Sequence, residues 1–233
     1  MQIKNPKTVF ITGGATGIGL ATARLLLSQG YNVAIFSLTK PLPQDFEILC
    51  AMPNALVLQG SVTNQKQVEA ALQKTIKKFG SLDVLINNAG ISQKKLFIDS
   101  TPQEWDAIMN VNIKGVLVVT RAALSHMHKG GLIINISSGS ALHAVSHLSL
   151  YSLTKAGILN FTQSIDKELQ PLGIRAVAIT PGSTQTALFE KASPGKTALY
   201  QPQDVAVVIA DTISGKQKPD KYRVVNPFRH LYK

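Results

Sequence analysis

Tyr151 and Lys155 stand four positions apart in the stretch LSLYSLTKAGILNF, residues 148–161. The segment otherwise reads as an apolar helix, and on a helix two residues so spaced share one face. A free phenol ionises near ~10, and bringing it toward ~7 takes about 4 kcal/mol. An ammonium roughly 4–5 Å away, at an effective dielectric near 20, supplies ~3–4 kcal/mol. The pair therefore reads as a tyrosine that its lysine turns into a usable general acid/base. An ordinary amphipathic surface helix carries the same two residues, so the assignment turns on what surrounds them.

A second candidate lies near the N-terminus. In ITGGATGIGLATARLL, Gly13, Gly17 and Gly19 follow the spacing G-x-x-x-G-x-G. Glycines there let the turn tighten and let backbone N–H groups approach a pyrophosphate at the positive end of a helix. A glycine-rich turn without a ligand is the alternative, but a strand before and a helix after supply the context of a dinucleotide site. A carboxylate for a ribose 2′-hydroxyl belongs about 20 residues further on. The chain reads AIFSLTK there, with Ser37 in that place and no carboxylate before Asp45. Ser37 and Thr39 can donate hydrogen bonds and Lys40 can add charge to a 2′-phosphate, which favours NADP(H) over NAD(H).

These residues must be positioned by an alternating pattern of elements. Apolar, β-rich runs fall at 8–12, 32–36, 55–59, 82–87, 132–137, 174–180 and 222–226. Amphipathic segments at 17–29, 64–79, 103–128, 151–170 and 202–214 separate most of them, and any helix within the proline-punctuated 37–54 is brief. Strands apolar along their whole length and separated by helices predict an α/β fold: a doubly wound, mainly parallel sheet of about seven strands, helices on both faces. Without repeats or a linker, residues 1–233 read as one domain.

Composition narrows the classes. Apolar residues make up 45% and charged residues 16%, the balance of a globular chain. A single cysteine, Cys50, excludes an intramolecular disulfide and a multi-cysteine metal site, and is expected to be buried. No metal is expected. The net charge is +11, yet basic residues are not interleaved with aromatics as stacking on bases requires, so no nucleic-acid partner is expected. No signal peptide and no apolar stretch near the ~20 residues of a membrane span are read, which leaves a cytoplasmic protein without a membrane partner as the default. His126 and His128 are expected late in a long helix; His143 and His147 fall in the segment before Tyr151 and are expected in a solvated loop, with contact to a polar or anionic substrate as the alternative. Trp105 is expected in the core or at a subunit contact.

Taken together, TGGATGIG (12–19), NNAG (87–90), NVNIKG (110–115), ISS (136–138), YSLTK (151–155) and PGSTQT (181–186) resemble, in order and over nearly the whole chain, the short-chain dehydrogenase/reductase family. The resemblance implies a Rossmann-type fold and interconversion of a carbonyl and a secondary alcohol by hydride transfer to or from a nicotinamide. It implies a catalytic tetrad of Asn112, Ser138, Tyr151 and Lys155, with Ser137 the competitor of Ser138 and Asn112 holding a water that links Lys155 to solvent. The implied cofactor contacts are Gly13, Thr16, Gly17, Ile18, Gly19, Ser37, Thr39, Lys40, Ser61, Val62, Asn87, Ala89, Gly90, Tyr151, Lys155, Pro181, Gly182, Thr184 and Thr186. A homo-oligomer, paired through helices 103–128 and 151–170, is also implied. The chain departs from the family at Ser61, where an aspartate is common, and at Thr16, where NADP-preferring members often carry a basic residue. It departs again in its C-terminal YRVVNPFRHLYK, and its segment 187–200 predicts a small substrate lid. A cofactor-binding regulatory or scaffold protein of the same fold, without turnover, is the alternative.

Overall fold

Strands and helices alternate along the residues described, 6–221 and 223–226, in a computed structural model of the chain. The strands are β1 (Thr8–Thr12), β2 (Asn32–Ser37), β3 (Ala55–Gln59), β4 (Leu82–Asn87), β5 (Met127–Ile136), β6 (Arg175–Ile179) and β7 (Val224–Val225). The helices are α1 (Gly17–Ser28), α2 (Pro43–Ala51), α3 (Gln65–Phe79), α4 (Pro102–Met109), α5 (Gly115–Leu124), α6 (Ser149–Leu169), α7 (Ala187–Ala192) and α8 (Pro202–Ser214). All strand pairings are parallel, in the order β3-β2-β1-β4-β5-β6-β7. This is the doubly wound sheet that the sequence pattern predicts, with every pairing parallel.

Alternation along the strands builds two cores. Val9, Ile11, Val33, Ile35, Val84 and Ile86 point to one face, where Ala23 and Leu26 of α1 and Val205 and Ile209 of α8 cover them. Phe10, Ala34, Phe36, Leu85 and Ile133 point to the other, under Val68 and Leu72 of α3, Val119 of α5 and Ile165 of α6. Both faces are dry, which is why the strands lack polar alternation. The chain reverses winding direction between β1 and β4, and a crevice opens at the carboxyl ends of those strands.

Three sequence expectations are corrected. The helix expected over 103–128 ends at Leu124, because Met127 pairs with Leu82 in the sheet and is buried in the second core. His126 therefore follows the helix, and His128 is an exposed residue of β5. Cys50 is exposed on α2. Against the expectation of no membrane-length apolar stretch, the helical run Pro102–Leu124 reaches a length and mean hydropathy (1.3) compatible with crossing a bilayer. Charges at Glu104, Asp106, Lys114 and Arg121 interrupt it, and in the fold it packs on α3, α6 and the sheet. Residues 227–233 of the unusual C-terminus lie outside the described residues.

Candidate active site

The crevice has a volume of about 880 Å³ and is bordered by the loops that follow β1, β2, β4, β5 and β6. Its first half is made of main chain. Gly13 sits at φ 65, in the left-handed region, and a Cβ there would lie 2.8 Å from Ala89 Cα. At Gly19 a Cβ would lie 2.4 Å from the Gly13 carbonyl, so α1 can approach the loop only without a side chain. The loop is held from outside: Gly13 N–H donates to Phe36 O (2.8 Å), and Ala15 N–H donates to Ser37 Oγ (3.1 Å). Asn88 braces it from β4, its Nδ2 donating to the carbonyls of Thr12 and Gly13, both at 3.0 Å. No side chain caps the N-terminus of α1, and no acidic residue stands in its first turn. Its positive end therefore faces the crevice with N–H groups available to an anion. A cradle that any Cβ would fill, beside an uncapped helix start, fits a dinucleotide.

The second half is made of side chains. α6 carries Tyr151, half-buried, and Lys155, buried, with Lys155 Nζ 5.6 Å from the centre of the Tyr151 ring. Lys155 Nζ donates to Ile136 O at 2.8 Å, tying the helix to the end of β5. Ser137 Oγ donates to the Lys155 carbonyl (2.8 Å), which turns that hydroxyl toward the helix backbone. Ser138 shares a side-chain hydrogen bond with Tyr151, and its Oγ accepts from Ser140 N–H (3.2 Å) and Ser140 Oγ (3.0 Å). With those acceptor positions filled, the Ser138 proton points at the tyrosine.

Asn112 lies in a π-helical turn, Asn110–Lys114, inserted between α4 and α5. Such turns reposition side chains at functional sites. Its Oδ1 accepts from Ile91 N–H (2.8 Å), and its Nδ2 donates to Ile91 O (2.9 Å) and Thr154 Oγ1 (3.0 Å). The Asn112 amide is thus occupied by direct protein contacts and stands behind the crevice wall. A Cβ at Gly90 would come within 3.3 Å of Asn112 Oδ1 and 3.5 Å of Lys155 Nζ, so these groups converge on one point.

The electrostatics differ from the sequence estimate. Burial pushes the Tyr151 phenol up to about 12, only partly opposed by the Ser138 hydrogen bond. Burial also brings the Lys155 ammonium down to about 8. In the chain by itself, desolvation of both groups outweighs their mutual attraction, a cost that the simple Coulomb argument omitted. Tyr151 consequently keeps its proton at neutral pH.

The remaining expected contacts divide in two. Thr16, Gly17, Ile18, Ser37, Thr39, Ser61, Val62, Ala89, Gly90, Pro181, Gly182, Thr184 and Thr186 border the crevice. Gly19, Lys40, Asn87 and Asn112 do not. Lys40 instead lays its ammonium over the Phe46 ring, 5.2 Å from the centroid. Asn87 points through the sheet and donates to Asn135 Oδ1 (2.8 Å) and Thr120 Oγ1 (3.0 Å). Strand alternation after Leu85 would have placed it there, and would have put Asn88, which sequence reading passed over, on the crevice side. His143 and His147 border the crevice, as do Lys94 and Lys196, which the sequence did not single out.

Comparison with known proteins converges on the same geometry. The family model for short chain dehydrogenase matches residues 7–197. An uncharacterized oxidoreductase from Staphylococcus aureus (strain N315) is 33% identical over 211 residues, covering 90% of this chain and 91% of that protein. A crystal structure of a short chain dehydrogenase from Burkholderia cenocepacia in complex with NADP superposes with a TM-score of 0.80 at 29% identity, covering 91% and 92% of the two chains. The 3-ketoacyl-(acyl-carrier-protein) reductase of Brucella melitensis, complexed with NADH, gives 0.80 and 29%, covering 90% and 91%. The chain belongs to the short-chain dehydrogenase/reductase family and is an oxidoreductase of that family.

Proposed function

We propose that the protein interconverts a carbonyl compound and a secondary alcohol, with Tyr151 as general acid/base and NADP(H) as the favoured cofactor. The observation that carries this reading is the Tyr151 hydroxyl, bordering the crevice and bonded to Ser138, one helical turn from Lys155. The dinucleotide, when bound, supplies or accepts the hydride at the substrate carbon. In reduction Tyr151 gives its proton to the carbonyl oxygen, which becomes the alcohol. Ser138, whose proton is already aimed into the site, donates to that oxygen as negative charge develops. Lys155 stabilises the phenolate that remains until a proton from solvent restores the phenol, with Asn112 holding the 91-to-112 wall beside it. Because burial keeps Tyr151 protonated, the site rests loaded for reduction.

The preference for NADP(H) is supported by Ser37, whose oxygen accepts from Ala15 and whose proton is left for a ligand, and by Thr39 beside it. The acidic residue nearest in sequence, Asp45, is ion-paired with Arg24. A single catalytic domain and a cytoplasmic homo-oligomer complete the reading. Exposed Trp105, Met109, Leu117 and Leu153 on α4, α5 and α6 favour a subunit contact.

The test is consumption of NADPH, and separately NADH, with a panel of aldehydes and ketones. Turnover favouring NADPH, lost in Tyr151→Phe, supports the reading. Tight cofactor binding with no consumption on any substrate replaces it with a binding protein of the same fold.

A further inference from the structure

Beyond Tyr151 the crevice opens between three segments: 91–96 after β4, 143–147 before α6, and 187–196 around α7. Lys94, His143, His147 and Lys196 border this outer part, and no aspartate or glutamate borders the crevice anywhere among the described residues. Lys95, next to Lys94, pairs with Glu104 at 3.0 Å, whereas neither Lys94 nor Lys196 forms an ion pair among the described residues.

Backbone geometry holds these groups over one opening. His147 adopts φ 68, in the left-handed region, and its carbonyl accepts from Lys95 N–H at 2.8 Å, which joins the 91–96 and 143–147 segments. Lys94 Nζ reaches Ser193 Oγ at 3.4 Å across the mouth, near Lys196. This rim is separate from the dinucleotide cradle. Thr186 caps the start of α7 beside Gly17, whereas Ser193 ends the same helix, about 10.5 Å further along at 1.5 Å per residue. Val145, Leu148, Leu188 and Phe189 add apolar surface to the same crevice.

We propose that the substrate is a carbonyl compound bearing an anionic group, carboxylate or phosphate, joined to the reacting carbonyl through an apolar stretch. Lys94 and Lys196 bind the anionic group at the crevice mouth, with His143 and His147 beside them. This rests on the carbonyl/alcohol reading above and names its substrate class.

The experiment compares straight-chain oxo carboxylates of increasing length with their methyl esters, and oxoalkyl phosphates with the parent alcohols, in kcat/KM at saturating NADPH. Calorimetric binding of the same pairs to the protein–NADP⁺ complex accompanies it. The anionic member of a pair is expected to be favoured about tenfold, the scale of two exposed charge contacts. The ratio falls to about one in the double variant Lys94→Gln/Lys196→Gln and keeps its wild-type value in Lys77→Gln on α3. The larger of the carboxylate and phosphate ratios identifies the group. Equal values for acid and ester overturn the proposal, as does a preference surviving the double variant, or a double variant that weakens NADPH binding and leaves the ratio unchanged. Absence of turnover with every compound refutes the enzyme reading alone, because the calorimetric ratio still decides this one.

Discussion

The two halves of the crevice are built by different means. On the β1–β4 side the recognition surface is backbone: a glycine turn, an uncapped helix start, and Asn88 clamping two carbonyls. On the β5–α6 side it is functional groups on side chains, each tethered to a main-chain atom. Lys155 holds Ile136 O, Ser137 holds Lys155 O, and Asn112 holds both polar atoms of the Ile91 backbone. Binding a large anion of fixed shape needs a rigid surface with little side-chain entropy to lose. Moving a proton needs a titratable group whose surroundings set its affinity. Damage to the first half should therefore appear as lost cofactor affinity and stability, and damage to the second as lost turnover.

The largest expected effect is on the chemical half. Tyr151→Phe should lower kcat about 10²–10⁴-fold while NADPH still binds, as fluorescence titration would show. A variant that lost binding and turnover equally would erase the contrast between the halves.

Gly13→Ala strikes the other half. It forces a side chain into the left-handed region 2.8 Å from Ala89 Cα, and should cost about 1–3 kcal/mol of stability together with weaker NADPH binding. Its kcat at saturating cofactor should fall far less than that of Tyr151→Phe. Asn88→Ala removes the two bonds that hold the loop and leaves their acceptors exposed to a poorly matched environment. A loss of about 1–2 kcal/mol in urea denaturation is expected, again with the cofactor KM affected before kcat.

A pH titration separates the halves more finely. Lys155 holds its proton less tightly in the folded chain, at about 8, than a free lysine side chain does at 10.5. Between those values the unfolded chain binds more protons, so Lys155 makes stability rise with pH across that window. Tyr151, raised from 10.0 to about 12, contributes the opposite slope above pH 10. Cofactor affinity should meanwhile decline above about pH 8 if the Lys155 ammonium contacts the nicotinamide ribose. Lys155→Met should remove both the rise in stability and the decline in affinity. An affinity decline that persists in that variant assigns it to another group. The smallest effect is remote from both halves: Thr101→Ala breaks the capping box with Glu104 at the start of α4 and should cost about 1 kcal/mol with kinetics unchanged.

Much of this was legible along the chain because the signals are local. The continuous apolar runs mark the strands, since a strand buried on both faces carries no polar alternation. The spacing of Tyr151 and Lys155 needs only one helical turn, and the glycine loop needs only the strand and helix that flank it. The boundary at Leu124 was not legible, because apolar periodicity runs through Met127 and only its pairing with Leu82 shows that the chain has entered the sheet. Asn87 and Asn88 were exchanged for a similar reason. Both are polar and adjacent, and the face each takes depends on the register of β4.

By itself the sequence determined the parallel α/β layout, the glycine turn and the placing of Tyr151 and Lys155 one turn apart on one helix, all of which follow from neighbours within a few residues. Tertiary structure alone decided which hydroxyl of Ser137 and Ser138 faces Tyr151, how burial moves the proton affinities of Tyr151 and Lys155, and that Lys94 and Lys196 share one opening. Those outcomes depend on groups far apart in the chain and on how much water remains between them, and neither quantity is written in residue order.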